Sequence, residues 1–290
     1  MRALRRKIFL HALSLVATLL CGGLLSATLV RLAPGFDADE RALDPHLNSQ
    51  SIEALHAGRR HNDNIFRFYF SYLRSAAKGD LGTSISLGQP VRTLLRQRAP
   101  LTARLLGSGL GLGWIFALTI ALTAAWLRVS TYDTVATVLS GTLLCLPAAV
   151  LSLLSVLWNI PGALAVVLII FPHTYRYARN LLAKAYSQPH ILAARAKGLS
   201  EARILFWHAL PTAMPQLIAL AGASVSIGIG AIIPVEALCG LPGVGQLAWQ
   251  AALARDLPML VNITMLVTLV TLLVNSGADV IGSMFRGQEA

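Results

Sequence analysis

The sequence predicts an all-α, polytopic membrane protein with about six transmembrane helices, and three observations carry that prediction. The 290 residues are 55% hydrophobic and only 13% charged, with a mean hydropathy of +0.64. An ordinary soluble domain carries about 25% charged residues, so this chain lacks the charge to solvate such a surface. Apolar runs long enough to cross ~30 Å of hydrocarbon as helices recur almost from end to end. The basic residues gather in the N-terminal tail and in 176–212, as cytoplasmic loops do under the positive-inside bias. The net charge of +11 therefore reads as loops facing anionic lipid, and nucleic-acid binding is set aside.

The first span is expected over 8–30, behind Arg2, Arg5, Arg6 and Lys7. It resembles a secretory leader, but 23 residues exceed the roughly 7–15 of a leader's apolar region, so a retained anchor is expected. Residues 31–100 follow as a long segment of mixed charge outside the membrane. Within it, 62–78 put Ile65, Phe66, Tyr69, Tyr72 and Leu73 at helical spacing, with Phe68, Phe70, Arg67, Arg74 and Lys78 alongside. Two readings stand: a helix resting in the outer interface, or one packed on the span bundle.

The remaining spans are expected over 105–127, 134–158, 162–181, 213–235 and 259–282. The third and fourth form one apolar tract interrupted only by Asn159, Ile160, Pro161 and Gly162, a tight turn. Six spans put the N-terminal tail, 176–212 and the C-terminus on one side, the cytoplasm. Small residues recur every four positions at Gly107/Gly111, Gly109/Gly113 and Gly222/Ser226/Gly230, a pattern for close helix approach. Cys21, Cys145 and Cys239 are scattered and form no metal or redox motif. His11, His173, His190 and His208 are dispersed, and no nucleophile–base pair or metal site is expected.

Residues 187–211 are the most informative stretch. Ser187 is expected to cap a short helix with Pro189 in its first turn, and Gly198 to end it in the left-handed conformation. Ser200 then caps a second helix, with Glu201 near its positive end, until Pro211 breaks it. Lipid insertion does not require such a module, so a partner surface is expected.

Here the residues become recognisable. Ala193-Ala194-Arg195-Ala196-Lys197-Gly198-Leu199-Ser200, followed by His208-Ala209-Leu210-Pro211, resembles the EAA loop of ABC-importer permeases, and more narrowly their dipeptide/oligopeptide branch. Val235-Glu236, Leu241-Pro242-Gly243-Val244-Gly245 and Ala254-Arg255-Asp256-Leu257-Pro258 resemble that branch's E…PGxG…ARDxP segment. Gly79-Asp80-Leu81-Gly82-Thr83-Ser84 with Gly88-Gln89-Pro90-Val91 is similar to its GDxGxS…GxPV stretch, and Asn275 and Asp279 to its N-x3-D pair. Four motifs in the right order cover nearly the whole chain. Leu192 stands where the leading Glu of the EAA motif is expected, and the tail Arg286-Gly287-Gln288-Glu289-Ala290 departs from the branch's basic ending.

The resemblance implies a type I ABC-importer permease fold in a prokaryotic cytoplasmic (inner) membrane, multi-pass, with both termini cytoplasmic. It implies three parts: 1–30, tail and first helix; 31–100, the extracytoplasmic segment with its interfacial helix; and 101–290, a five-helix core that includes the coupling loop 187–211. It implies a second permease subunit, two ATPase subunits, an extracytoplasmic binding protein and a peptide substrate; glutathione or a metal chelate also remain open. No GxxxxGK[ST] loop occurs, so ATP and magnesium are expected on the partner subunits, and no cofactor or catalytic residue in this chain. The ATPase-coupling residues implied are Ala193, Ala194, Arg195, Lys197, Gly198, Leu199, Ser200, Leu210 and Pro211. An outer gate or binding-protein contact is implied for Glu236, Pro242, Gly243, Gly245, Asp80 and Gly82.

Single residues leave alternatives open. Glu236 is either an ordinary exposed acid or part of the outer gate. Asn275 and Asp279, one turn apart, read as an intramembrane polar pair. Arg176 and Arg179 either snorkel to headgroups or meet a partner subunit. The competing function is an ATP-independent secondary transporter or channel, which predicts paired charges near the bilayer midplane; none is evident.

Overall fold

The computed structural model describes residues 16–29, 65–127 and 130–286, together with Leu13. The basic tail, the start of the first expected span, residues 30–64 and residues 287–290 lie outside the described residues.

Within hydrocarbon a helix satisfies its own backbone polar groups, and the described residues are built of helices, with one isolated antiparallel bridge between Thr83 and Pro90. They run α1 (Val16–Leu29), α2 (Ile65–Ala77), α3 (Val91–Leu127), α4 (Ser130–Cys145), α5 (Ala148–Leu157), α6 (Gly162–Tyr186), α7 (Pro189–Ala196) and α8 (Glu201–Ile204). A π-turn (Leu205–Ala209), α9 (Leu210–Leu238), α10 (Val244–Leu253) and α11 (Leu257–Arg286) follow. Val91–Leu127, Glu201–Leu238 and Leu257–Phe285 are each long and apolar enough to cross a membrane, and α4 with α5 make a fourth crossing if taken as one bent element.

Two proline positions behave differently from expectation. The third span, expected over 134–158, is broken between α4 and α5 by a 98° bend. Pro147 has no N–H to continue the ladder and stands extended ahead of α5 (φ −58°, ψ 146°). The turn over 159–162 forms as well, with Asn159 left-handed (φ 52°) and Pro161 extended before α6. Pro211, by contrast, does not break its helix. The chain is helical from Glu201 to Leu238, because the π-turn widens just before the proline: the Leu210 N–H reaches back to the Leu205 carbonyl. The hydroxyl of Thr212 then donates to the His208 carbonyl (2.8 Å).

The chain divides into two compact units, one formed by residues up to Arg98 with Leu247–Leu269, the other by Ala99–Gln246 with Val270 onward. In the first unit, Ala27, Tyr69, Leu257 and Val261 are buried together, with Tyr72 and Leu73 against them. Tyr69 donates to the Leu20 carbonyl (2.8 Å) and Tyr72 to Asn262 Oδ1 (2.8 Å). Of the two readings for 62–78, then, α2 packs on helices of its own unit; Phe70 alone of its described aromatics is largely exposed.

In the second unit, α6 and α9 form the centre. Val166, Ile170, Ala231 and Val235 fill one cluster; Tyr175, Leu182, Ile191, Ile204, Leu205 and Ala209 fill another that runs into the 187–211 module. Only some of the small-residue pairs serve packing within the chain. A Cβ on Gly109 would stand 2.4 Å from Val166 Cγ1 and one on Gly222 2.8 Å from the Ala278 methyl, whereas Gly107, Gly111 and Gly230 face open space. Arg179 is held by the Asp133 carboxylate of α4 through two nitrogens, an ion pair that neither sequence reading of Arg179 included. Arg176 is exposed.

This difference between paired glycines is measurable. Gly109→Ala should overpack the Val166 contact and cost about 1–3 kcal/mol. Gly107→Ala, in open helical space, should be neutral or gain up to ~1 kcal/mol. Thermal unfolding of the purified chain in detergent compares the two.

Candidate functional site

The 187–211 module is positioned from both ends. Pro189 at the first position of α7 requires extended backbone before it, so the N-cap is Gln188 (φ −73°, ψ 144°) and not Ser187 as expected. Ser187 instead closes α6, its hydroxyl donating to the Lys184 carbonyl (2.8 Å). Gly198 is left-handed (φ 78°), with its N–H bonded to the Arg195 carbonyl (2.8 Å) and that of Leu199 to the Ala194 carbonyl (3.3 Å), the closing pattern of a Schellman end. Ser200 caps α8 as expected, accepting from the Arg203 N–H (3.4 Å).

The module has an inner and an outer face. Ile191, Ala194, Ile204 and Leu205 are buried in the α6–α9 core, with Leu199 and Leu210 packed partly against it. Ala193, Lys197, Gly198, Ser200 and Pro211 are exposed, and Leu192 (62%), Phe206 (54%) and Trp207 (75%) expose large apolar surface. Arg195 faces neither side freely. Its Nε donates to Glu201 Oε1 (3.1 Å) across the Gly198 turn, and its guanidinium lies 5.9 Å from the Tyr186 ring centre. It braces the two short helices against the end of α6.

The Glu236–Gly245 segment is a capped corner. Glu236 lies in the last turn of α9 and is fully buried, so the exposed-acid reading does not hold. Its Oε1 accepts from the Thr102 hydroxyl (2.7 Å), and its Oε2 from the N–H groups of Gly245 (2.6 Å) and Gln246 (3.3 Å). Thr102 Oγ1 in turn accepts from the Val244 N–H (2.8 Å). These three N–H groups open α10 and have no partner within it, and a carboxylate at a helix N-terminus is doubly favourable. The glycines follow from this. A Cβ on Gly243 would stand 2.2 Å from the Glu236 carboxylate, and one on Gly245 2.9 Å from the Ile232 carbonyl oxygen. Gly240 reverses the chain at φ 65°, and Pro242 stays exposed.

A second buried carboxylate unites two of the motifs. Asp256, immediately before α11, accepts from the Ser84 hydroxyl, from the Ser86 N–H (3.0 Å) and hydroxyl (2.8 Å), and through Oδ1 from the Met259 N–H (3.2 Å). Burial pushes its carboxyl up, but these hydrogen bonds outweigh burial and hold it below its ordinary value. Asn262, one turn into α11, donates to the carbonyls of Leu81 (2.9 Å) and Pro258 (2.7 Å) while accepting from Tyr72. Asp80 is exposed and makes only a local turn, accepting from the N–H of Gly82 (2.9 Å), which is left-handed (φ 73°).

The expected Asn275–Asp279 pair is not made. Asn275 turns its amide to the Ser226 hydroxyl of α9 (3.2 Å), where the close approach at Gly222 brings the helices together, and Asp279 is exposed. Thr102, Asp133, Ser86, Asp256 and Asn262 were not singled out from the sequence. Asn262 had a signal, an amide within an apolar run; Asp256 and Ser84 stood inside quoted motifs; Thr102 had none.

Asp256→Ala should orphan the buried Ser84 hydroxyl at a cost of about 1–3 kcal/mol. Because the folded carboxyl titrates below its ordinary value of ~3.9, its stabilisation is complete above that value and is lost as pH falls through the lower folded one. Unfolding of the parent across the acid range should show this loss, and Asp256→Asn should flatten it.

The comparisons with known proteins agree with this geometry. Residues 91–286 match the family described as "Binding-protein-dependent transport system inner membrane component". The oligopeptide transport system permease protein OppB of Haemophilus influenzae is 30% identical, covering 94% of this chain and 95% of its own length. OppB of Salmonella typhimurium is 32% identical, covering 90% and 91%. Among solved structures, a chain of the MetNI methionine ABC transporter in an inward facing conformation superposes with a TM-score of 0.59 at 18% identity, covering 66% of this chain and 96% of that one, which is a likeness of fold.

These matches displace the ATP-independent transporter or channel. The protein is a multi-pass component of the inner membrane, it works with a binding protein and an ATPase, and ATP hydrolysis belongs to the partner subunits. The chain belongs to the binding-protein-dependent transport system inner membrane component family, as a permease component of an ABC transporter.

Proposed function

We propose that this permease carries oligopeptides inward, together with a second permease subunit, two ATPase subunits and an extracytoplasmic binding protein that delivers the peptide. Near full-length likeness to proteins named oligopeptide permeases supports the substrate class. The observation that carries the coupling is the construction of 187–211: one face is sealed into the core, and the other exposes Leu192, Ala193, Lys197, Gly198, Phe206 and Trp207. Force applied to that face reaches α6 and α9 through packed side chains and the Arg195 brace. Transport then requires two conformations whose populations ATP and peptide shift. The Glu236–Gly245 corner, with Pro242 at its surface, closes the outer end of the path, and the Asp80–Gly82 turn belongs to the same outer side. The termini and 187–211 lie in the cytoplasm.

Two experiments test this. Gly198→Val places a β-branched residue at φ 78°, a strain above the ~1–2 kcal/mol usual for left-handed backbone, while nothing stands within 4 Å of the added Cβ. Insertion should persist while copurification with the ATPase and uptake of labelled oligopeptide fall; unchanged copurification and uptake would remove the coupling assignment. Reporter fusions at Gly58 and after Ala290 should report opposite compartments, and the same compartment for both would overturn the topology.

A further inference from the structure

The break at Pro147 borders a cavity at membrane depth. Asp133, near the start of α4, and Arg179, towards the end of α6, form an ion pair, and charged groups keep to the boundary of the hydrocarbon. Between them, residues 134–175 include no Asp, Glu, Lys or Arg. Leu143 stands ten residues beyond Asp133 and Ile169 ten before Arg179. At 1.5 Å per residue each lies about 15 Å from the pair, near the middle of ~30 Å of hydrocarbon. At this level Leu143, Leu144, Ala148, Ile169, His173 and Gly230 line a cavity of about 240 Å³. A Cβ on Gly230 would meet nothing within 4 Å, so the α9 wall stands open.

The break supplies this cavity with backbone groups of both kinds. Leu144 is in the last turn of α4, where carbonyls have no partner within the helix. The Leu143 carbonyl accepts from the Leu146 N–H (3.2 Å), but Pro147 has no N–H to give. Across the break Ala148 opens α5, where the N–H groups lack partners within the helix; those of Val150 and Leu151 close on the Pro147 carbonyl (2.9 and 3.2 Å). His173 adds an acceptor. A carbonyl only accepts, so Nδ1 donates to the Ile169 carbonyl (3.2 Å), and in the neutral ring Nε2 keeps its lone pair. Irregular backbone at membrane depth is tolerated where protein buries it or where it lines a watery cavity, and the ends of broken helices are suited to holding a polar cargo. We propose that this cavity is a subsite for the main chain of the peptide cargo: the α4 carbonyls and His173 Nε2 accept from a peptide N–H, and the Ala148 N–H donates to a peptide carbonyl. The walls carry no charge, so the subsite reads no side chain and suits cargo of any sequence. Drug-sized ligands occupy about 300–1,000 Å³, so this smaller space holds one stretch of the peptide. The inference rests on the peptide reading above.

The test uses the assembled transporter in proteoliposomes, its purified binding protein and a labelled peptide, made also with each inner amide N-methylated in turn. In the parent, one of these methylations should cut uptake about tenfold, the cost of leaving a buried acceptor unpaired. In His173→Leu the same methylation should cost about twofold or less, because the contact is already lost. Both arms share one binding protein, so its own preference cancels in the ratio. His173→Gln, which keeps an acceptor near the place of Nε2, should retain the parent pattern. A second measurement leaves His173 intact: the photocrosslinking residue p-benzoylphenylalanine at Leu146, which also lines the cavity, should capture labelled peptide in complexes trapped with vanadate. Equal losses in the parent and in His173→Leu at every methylated position would overturn the proposal, and so would capture of lipid or of the second permease in place of peptide. A parent that takes up none of these peptides would overturn the peptide reading and this inference together, whereas uptake with equal losses overturns this inference alone.

Discussion

A helix that stops in or near a bilayer leaves up to four N–H groups and four carbonyls without partners, and there is little water at hand to take them. The organisation of this chain follows from where those groups go. Glu236 and Thr102 take the opening N–H groups of α10, Asp256 takes one at the start of α11, Ser200 does so for α8, and the Schellman end at Gly198 closes α7. At Glu236 and Asp256 the cap is also a tertiary contact, to Thr102 and to Ser84 and Ser86, so there the residues that make a chain break tolerable also hold distant segments together. Both carboxylates buried among the described residues, Glu236 and Asp256, sit at such corners.

The same constraint sets the 187–211 module apart from the two carboxylate corners in construction. The 187–211 module is held chiefly by apolar burial, with Arg195 and Glu201 bracing it at half-exposed positions. Exposed ion pairs contribute about 1 kcal/mol or less, so apolar packing does most of the holding there. The Glu236 and Asp256 corners are each held by a buried carboxylate with several donors, an arrangement in which removing one partner leaves others unsatisfied.

Much of this was legible in the sequence. Hydropathy and spacing located α6, α9 and α11 to within about five residues of 162–181, 213–235 and 259–282, whereas α3 begins at Val91, well before the expected 105; Gly198, Ser200 and the turn at Asn159–Gly162 behave as their chemistry dictates. The misreadings cluster at prolines. Pro147 lies within an apolar run and bends the chain by 98°, whereas Pro211 follows a π-turn and bends nothing sharply. A proline's effect depends on whether the preceding turn can widen, and that is a property of three-dimensional packing. Glu236 was readable as a motif residue but not as a buried cap, because its partner Thr102 is 134 positions away. Asn275 chose Ser226 over Asp279 for the same kind of reason.

The fit of Glu236 against Gly243 bears on how permeases of this kind could be recombined. The space that a side chain at position 243 would occupy is already filled by the Glu236 carboxylate, and that carboxylate is held in turn by Thr102 on another helix. The three positions therefore form one module of inheritance. A chimera that exchanges the Glu236–Gly245 corner between two such proteins has to carry all three together, with its crossover points placed before Thr102 and after Gln246, or it will join two corners that cannot close.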